Sequence, residues 1–286
     1  MTNSAPDCLI RRYDTAASLL ARAGDWLLRA EAEHNLVLSI AGQLESGSHD
    51  YDAPILLATV EGPEGVTGCA YRTPPFKLGL TRMPAAAIPL LIEEVAALYP
   101  TIPAVMGPGD VALLFAERWS AKRGVTARPG MRMRIFQLDR VEPAADPAPG
   151  RMRPAMPADL GLATAWARGF VADVGQWAGS PDPLARRLID EGRLFFWEGD
   201  DGTLVSMAAG MAETPNGIRV GFVYTPPTAR GRGYASACVA ALSQHYLDLG
   251  RQFCFLYTDL ANPTSNAIYQ RMGYRPVCDV EDYNFE

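Results

Sequence analysis

Two periods of apolar spacing alternate along the chain, and the switches between them divide it into short strands and helices. Period-two or continuous apolar runs at 55–60, 66–72, 76–82, 102–106 and 131–138 predict strands. Spacing of 3.6 residues predicts helices at 15–32, interrupted at Gly24, and at 33–42, 85–99 and 111–122, the last through Leu114, Phe115 and Trp119. Residues 141–150 (VEPAADPAPG) are too rich in Pro and Ala for a regular element and read as a linker.

A second series follows the linker. A strand at 151–154, helices at 160–170 and 184–191, and strands at 194–198 and 204–211 about a Gly/Asp turn lead into the stretch 218–274. That stretch reads strand, tight loop, helix, strand, loop, helix. Its first strand, 218–224, is β-branched and aromatic and is ended by Pro226-Pro227, because proline removes a ladder donor and restricts the residue before it. The helix presents Ala235, Cys238, Val239, Leu242, Tyr246 and Leu249 on one face, stops at Gly250, and gives way to a strand at 253–258. A last strand is expected at 275–280 and a tail at 282–286. The two series share an order: three strands joined by turns, then helix, strand, helix and closing strand. The expectation is therefore an α/β (α+β) protein of two tandem domains, 1–140 and 151–286, each a mixed central sheet flanked by helices.

Composition narrows the partners. The 286 residues are 48% hydrophobic and 20% charged, enough for about two ordinary domains. A formal net charge of −6 argues against nucleic acid or an anionic membrane as partner. No signal pattern opens the chain and no apolar run reaches membrane-spanning length, so a cytoplasmic setting is expected. The five cysteines include no C-x-x-C pair, and Cys238 and Cys254 fall on apolar faces, which reads as buried free thiols. His34, His49 and His245 are scattered, with His49 in a loop-like SGSHDYDAP segment, and no metal site is expected.

With an acidic chain, attraction for an anionic ligand has to be local, and Arg230-Gly231-Arg232-Gly233-Tyr234-Ala235 supplies it. The segment opens a helix, whose N-terminus offers unpaired N–H groups and the positive end of the dipole. Gly231 and Gly233 let the backbone turn and a ligand approach, and Arg230 and Arg232 add charge-assisted donors. The loop is neither a Walker loop nor a dinucleotide fingerprint. It resembles the signature of the GNAT N-acetyltransferase superfamily, Gln/Arg-x-x-Gly-x-Gly/Ala, on Arg230, Gly233 and Ala235. The resemblance continues through Asn262, Asn266, Ala267, Tyr269 and Gly273-Tyr274.

That resemblance implies acetyl-CoA as co-substrate, no metal, and a catalytic second domain behind a degenerate GNAT-like first one, where Arg82-Met83-Pro84-Ala85 stands in place of the glycine loop. It implies cofactor contacts from Val223, Tyr224, Thr225, Arg230, Gly231, Arg232, Gly233, Tyr234, Ala235, Ser236 and Asn262, and a general-acid role for Tyr269. The expected reaction is N-acetylation of a primary amine on a small acceptor. The alternative is a non-catalytic acyl-CoA-binding sensor or scaffold, which would need only the loop. No Glu or Asp stands on the strand 218–225, so the base stays open between Asp173, Glu213, Asp259 and a water chain. Phe170, Asp173, Trp177, Trp197 and Glu213 lean the acceptor toward a cationic small molecule. Acceptor identity and oligomeric state, a homodimer included, are not legible.

Overall fold

The computed structural model describes residues 8–47, 54–175 and 179–286. The chain forms two compact units: Met1–Ile135 with Asp259–Ala261 and Val277–Glu286, and Phe136–Thr258 with Asn262–Pro276. Each is a mixed sheet with flanking helices, and the α/β expectation holds.

In the first unit the elements are β1 (Leu9–Arg12), α1 (Ala16–Leu28), α2 (Asn35–Glu45), β2 (Leu56–Gly62), β3 (Gly65–Arg72), β4 (Leu78–Leu80), α3 (Ala87–Leu98), β5 (Ala104–Gly107), α4 (Gly109–Arg123) and most of β6 (Ala127–Leu138). Strands β1 to β4 pair antiparallel in sequence order, and β4 pairs parallel with β5. Helix α1 runs through Gly24 without a break. Thr15 caps it by accepting the Ser18 N–H at 3.1 Å, and Ala16, Leu19, Ala23 and Leu27 form a buried stripe. That burial outweighs the roughly 1 kcal/mol a helix-interior glycine costs. One strand, β1, carries no alternation in sequence and is defined only by its pairing with β2.

The second unit repeats that order: β7 (Arg151–Pro154), α5 (Leu160–Val174), α6 (Pro181–Asp190), β8 (Leu194–Glu198), β9 (Leu204–Glu213), β10 (Gly217–Tyr224), α7 (Tyr234–Asp248), β11 (Phe253–Asp259), α8 (Pro263–Arg271) and the start of β12 (Arg275–Phe285). Strands β7 to β10 are antiparallel neighbours and β10 pairs parallel with β11. One core lies under α7 (Cys238, Val239, Leu242, Tyr246 with Ile218, Val220, Cys254 and Leu256), and another under α5 and α6 (Ala163, Trp166, Ala167, Leu188 with Met207, Ala209 and Phe222).

The last strand is longer than its sequence suggests. Of residues 282–286, expected as a tail, 282–285 continue β12, and Glu281↔Gly107 to Asn284↔Ala104 pair it with β5 inside the first unit. The charged positions there conceal the strand. Asp282 is nevertheless buried, accepting the Met131 N–H at 2.8 Å and bonding Lys77.

The thiols and two of the histidines have structural places. Cys238 and Cys254 are buried and free, and burial pushes both thiols up to about 12. His34 stacks on Trp26 with ring centroids 4.4 Å apart, its Nδ1 2.9 Å from the Leu27 carbonyl, and His245 packs on Phe195 and Tyr246. His49 lies outside the described residues. Among the described residues no group of three or more His, Cys, Asp or Glu could hold a metal, and no helix is long and apolar enough to cross a membrane.

The first unit also holds a buried carboxylate at Glu61 on β2. It accepts from Arg22 Nη2 at 2.6 Å, Arg22 Nε at 3.1 Å and Thr59 Oγ1 at 3.0 Å. The Arg22 bonds, above all, hold its carboxyl down at about 2 against an ordinary 4.5. A depressed folded-state pKa means the contribution is complete above pH 4.5 and disappears as pH falls through about 2. Glu61→Gln should therefore lower unfolding free energy by roughly 1–3 kcal/mol at pH 7. Urea melts should show the gap to wild type closing between pH 4.5 and 2.

Candidate active site

Parallel pairing between β10 and β11 covers Gly217↔Phe253, Ile218↔Cys254 and Arg219↔Phe255, and no further pairs form between the two strands. Beyond that point the strands part. On its other side β10 slips by one residue against β9 between Gly221 and Tyr224, a β-bulge. At the bulge Phe222 takes φ 54°, a left-handed conformation rare for a bulky residue. Its ring packs against Phe170 of α5 at 5.0 Å, so core packing holds the strained backbone in place. At the slip, Val223 and Tyr224 border a cleft.

At the mouth of the gap stands the N-terminus of α7. Gly231 and Gly233 both have left-handed φ, 76° and 78°, and Gly233 is the N-cap. The first helical bond runs from the Ala237 N–H to the Gly233 carbonyl at 3.0 Å, and no side chain caps the helix. The N–H groups of Tyr234, Ala235 and Ser236 thus lack intrahelical acceptors. They form a donor set for an anion.

These parts surround a cleft of about 380 Å³. Of the expected residues, Val223, Tyr224, Thr225, Arg230, Ala235, Ser236, Asn262 and Tyr269 line it. Gly231, Arg232, Gly233 and Tyr234 do not: the glycines shape the loop, Arg232 is exposed beside it, and Tyr234 packs toward the α7 core. Four further residues line the cleft, Asp173, Thr264, Ser265 and Ile268. Asn262 caps α8, its side-chain oxygen accepting the Ser265 N–H at 3.0 Å, and its carbonyl accepts from Asn266 Nδ2 at 2.9 Å. Capping thereby fixes the start of the helix that carries Tyr269.

Tyr269 is half-buried, with its ring edge-on to Tyr274 at 5.8 Å, and among the described residues its hydroxyl makes no hydrogen bond. Desolvation pushes the phenol up to about 12, so it keeps its proton throughout the neutral range. Tyr274 in turn shares a 2.8 Å hydroxyl contact with Ser243 of α7, which ties the site to the core.

The acidic wall expected for a cationic acceptor does not form. Asp173 pairs with Arg230 at 2.5 Å, while Arg230 Nε donates to the Thr225 carbonyl at 2.9 Å and the guanidinium lies 5.8 Å from the Tyr224 ring centroid. Glu213 pairs with Arg251 and, at 3.4 Å, with Arg193. Asp259 accepts the Ala261 N–H at 2.8 Å in the turn after β11. Trp197 is buried in the α7-side core and donates its indole N–H to the Pro149 carbonyl at 2.9 Å. Trp177 lies outside the described residues.

The second unit thus sets parallel strands that part beside an uncapped helix N-terminus at one cleft. Residues 163–274 match the model of the acetyltransferase (GNAT) family. No curated protein sequence matches the chain. Solved structures with the same fold run over nearly its whole length. A GNAT-family acetyltransferase from Colwellia psychrerythraea aligns at TM-score 0.58 and 15% identity over 97% of this chain and 100% of its own. A GCN5-related N-acetyltransferase from Sphaerobacter thermophilus gives 0.59 and 18%, over 98% and 96%. A tandem GNAT protein from the clavulanic acid biosynthesis pathway gives 0.56 and 11%, over 98% of each chain. At these identities the likeness concerns the fold alone.

One close approach in the site had no sequence signal. A Cβ on Gly169 of α5 would lie 2.5 Å from the Tyr224 hydroxyl, so glycine there is what lets the ring form the cleft wall. Gly169→Ala should lower unfolding free energy by roughly 1–2 kcal/mol despite the better helix former. Gly161→Ala, in open space on the same helix, should be neutral or stabilising. Adding Tyr224→Ala should remove part of the Gly169→Ala penalty, as thermal melts of the double variant would show.

Proposed function

We propose that the second unit transfers an acetyl group from acetyl-CoA to a primary amine of a small acceptor by direct attack on the thioester. The observation that carries this reading is the convergence on one cleft of the open N–H groups of α7, the parted backbone of β10 and the protonated hydroxyl of Tyr269. The fit to acetyl-CoA rests on chemistry. Three unpaired N–H groups at a helix N-terminus, with Arg230 and Arg232 in the same loop, suit a diphosphate. The unpaired strand edge past Arg219 suits an amide-bearing arm that adds alongside it.

Bound there, acetyl-CoA supplies an activated thioester. The backbone of Val223 to Thr225 orients the acyl group, and a fixed N–H stabilises charge that develops on its oxygen. Tyr269 holds a proton at Oη for the sulfur as it leaves, and its proton is then restored from solvent. Asp173, Glu213 and Asp259 are each committed to a partner, so the acceptor amine gives up its proton to water or arrives neutral. We place this activity in the cytoplasm.

Thiol release from acetyl-CoA should depend on an added amine, and a panel of polyamines, aminoglycosides, amino acids and short peptides would find it. Tight acetyl-CoA binding with no turnover on any amine would instead fit a non-catalytic acyl-CoA sensor. Tyr269→Phe should reduce kcat on the order of 10²-fold or more with KM for acetyl-CoA little changed. Because the phenol titrates at about 12, no alkaline limb from Tyr269 should enter the wild-type pH–rate profile below about pH 11.

Gly233→Ala isolates the loop. A Cβ at φ 78° costs roughly 1–2 kcal/mol, and relieving that strain rotates the open N–H groups. Calorimetry should show acetyl-CoA binding weakened by about tenfold, with the fold intact by circular dichroism.

A further inference from the structure

A serine that does not line the cleft has its hydroxyl committed to residues that do. Ser206 of β9 is fully buried, and its neighbours along the strand, Met207, Ala208 and Ala209, belong to the apolar cores. A buried hydroxyl needs partners, and the two that Ser206 finds both stand where β10 ends. Its Oγ donates to the Tyr224 carbonyl at 3.2 Å and lies 2.9 Å from Thr225 Oγ1. A serine hydroxyl carries one proton. With that proton on the Tyr224 carbonyl, the shorter contact is Thr225 donating to Ser206.

The bond to the Tyr224 carbonyl fixes more than that one atom. The peptide joining Tyr224 to Thr225 is a rigid plane in which C=O and N–H point in opposite directions. Ser206 and Met207, the pairing partner of Tyr224, both stand on β9, so the carbonyl faces β9. The Thr225 N–H therefore faces the other flank of β10, the side of β11, with which pairing has ended at Arg219. Thr225 is held from its far end as well, its own carbonyl accepting Arg230 Nε at 2.9 Å. Because Thr225 lines the cleft, an N–H of fixed direction looks onto it with no paired strand opposite. The bulge between Gly221 and Tyr224 is what calls for such a hold, since the ladder to β9 is irregular there.

We propose that Ser206 is a positioning residue: from β9 it aims the Thr225 N–H at a carbonyl oxygen of bound acetyl-CoA. The proposal rests on the acetyl-CoA reading above and adds to it a residue outside the cleft. Two kinds of carbonyl on the cofactor could accept this bond, that of the thioester and an amide of the arm, and the experiment separates them. A donor oriented before the ligand arrives needs no reorganisation, which is the source of its effect on a developing charge. Without the Ser206 hydroxyl the N–H remains, and the peptide loses the bond that orients it.

Ser206→Thr and Ser206→Val form the test pair, because they share a shape and differ by one hydroxyl. If the added methyl group unfolds both, wild type against Ser206→Ala is read in the same way. Infrared difference spectra of acetyl-CoA labelled isotopically at the thioester carbonyl report the hydrogen bond directly and need no acceptor amine. The bound carbonyl band should lie lower in Ser206→Thr and wild type than in Ser206→Val and Ser206→Ala. With an accepted amine, kcat should fall about tenfold in the last two while KM for acetyl-CoA changes little. That result assigns the N–H to the thioester. An unmoved band, with CoA bound about tenfold more weakly by Ser206→Val than by Ser206→Thr in calorimetry, assigns it to the arm and also supports the proposal. Equal band positions and equal CoA affinities across the pair overturn it, even where both variants turn over slowly, since a merely structural serine gives that result. A band that follows the hydroxyl, with no turnover on any amine, keeps the proposal and removes the transferase reading. Failure of the wild-type protein to bind acetyl-CoA removes both.

Discussion

The backbone of β10 beyond Arg219 is the constraint on which the second unit depends. A strand inside a sheet must satisfy its N–H and C=O groups on both sides, and β10 gives up its ladder to β11 after three residue pairs. On the β9 side a bulge interrupts the register as well. Such a segment stays extended only if other contacts hold it. Phe222 is clamped on Phe170, Tyr224 lies against the backbone of Gly169, and Ser206 Oγ donates to the Tyr224 carbonyl at 3.2 Å. Helix α5, which no sequence motif marks, is therefore part of the site's architecture.

The same helix sets the electrostatics of the loop. Asp173 near its end bonds Arg230, whose Nε is already held by the Thr225 carbonyl. The arginine that opens the family signature is thus oriented before any ligand arrives, and the acidic side chain in the cleft is neutralised by it. Both groups are about half exposed, so the pair adds little to stability. Its consequence is geometric: it fixes the guanidinium at the rim and leaves the helix N-terminus as the unsatisfied donor set.

How much of this was legible follows from the kind of signal each feature carries. Elements with a burial stripe, such as α1 on Leu19, Ala23 and Leu27 or α7 on Cys238, Val239 and Leu242, announce themselves by spacing. The strand β1 and the end of β12 do not, because their charged side chains bond across the ladder, as Arg128 does with Glu286 and Arg132 with Glu281. The site divides the same way. Arg230, Asn262 and Tyr269 stand at fixed offsets within one strand–loop–helix stretch, so a motif can find them. Asp173 reaches the cleft, and Gly169 and Phe170 buttress Tyr224 and Phe222, from a helix more than fifty residues upstream of that loop, and only the packing of α5 on β10 brings them there. The partnering of Glu213 and Asp173 is equally a three-dimensional fact, which is why the sequence leans toward a cationic acceptor and the structure does not.

The first unit shows that the frame alone does not make the chemistry. Its order of elements is the same, with β4 and β5 parallel and α3 between them. Yet the N–H groups at the start of α3 are already used: Ala87 donates to the Pro84 carbonyl at 2.9 Å and Ile88 to the Ala85 carbonyl at 3.2 Å, a tight first turn that replaces an open donor set. Met83, at the place of the loop glycines, is buried in the core. On α4, the counterpart of the helix carrying Tyr269, Phe115 and Trp119 are fully buried and contribute packing alone. A helix N-terminus whose donors are satisfied internally has nothing to offer a diphosphate. The difference between the two units therefore comes down to a few backbone N–H groups and one hydroxyl, that of Tyr269: the first unit's helix start is closed on itself, and the second leaves its N–H groups open beside that hydroxyl.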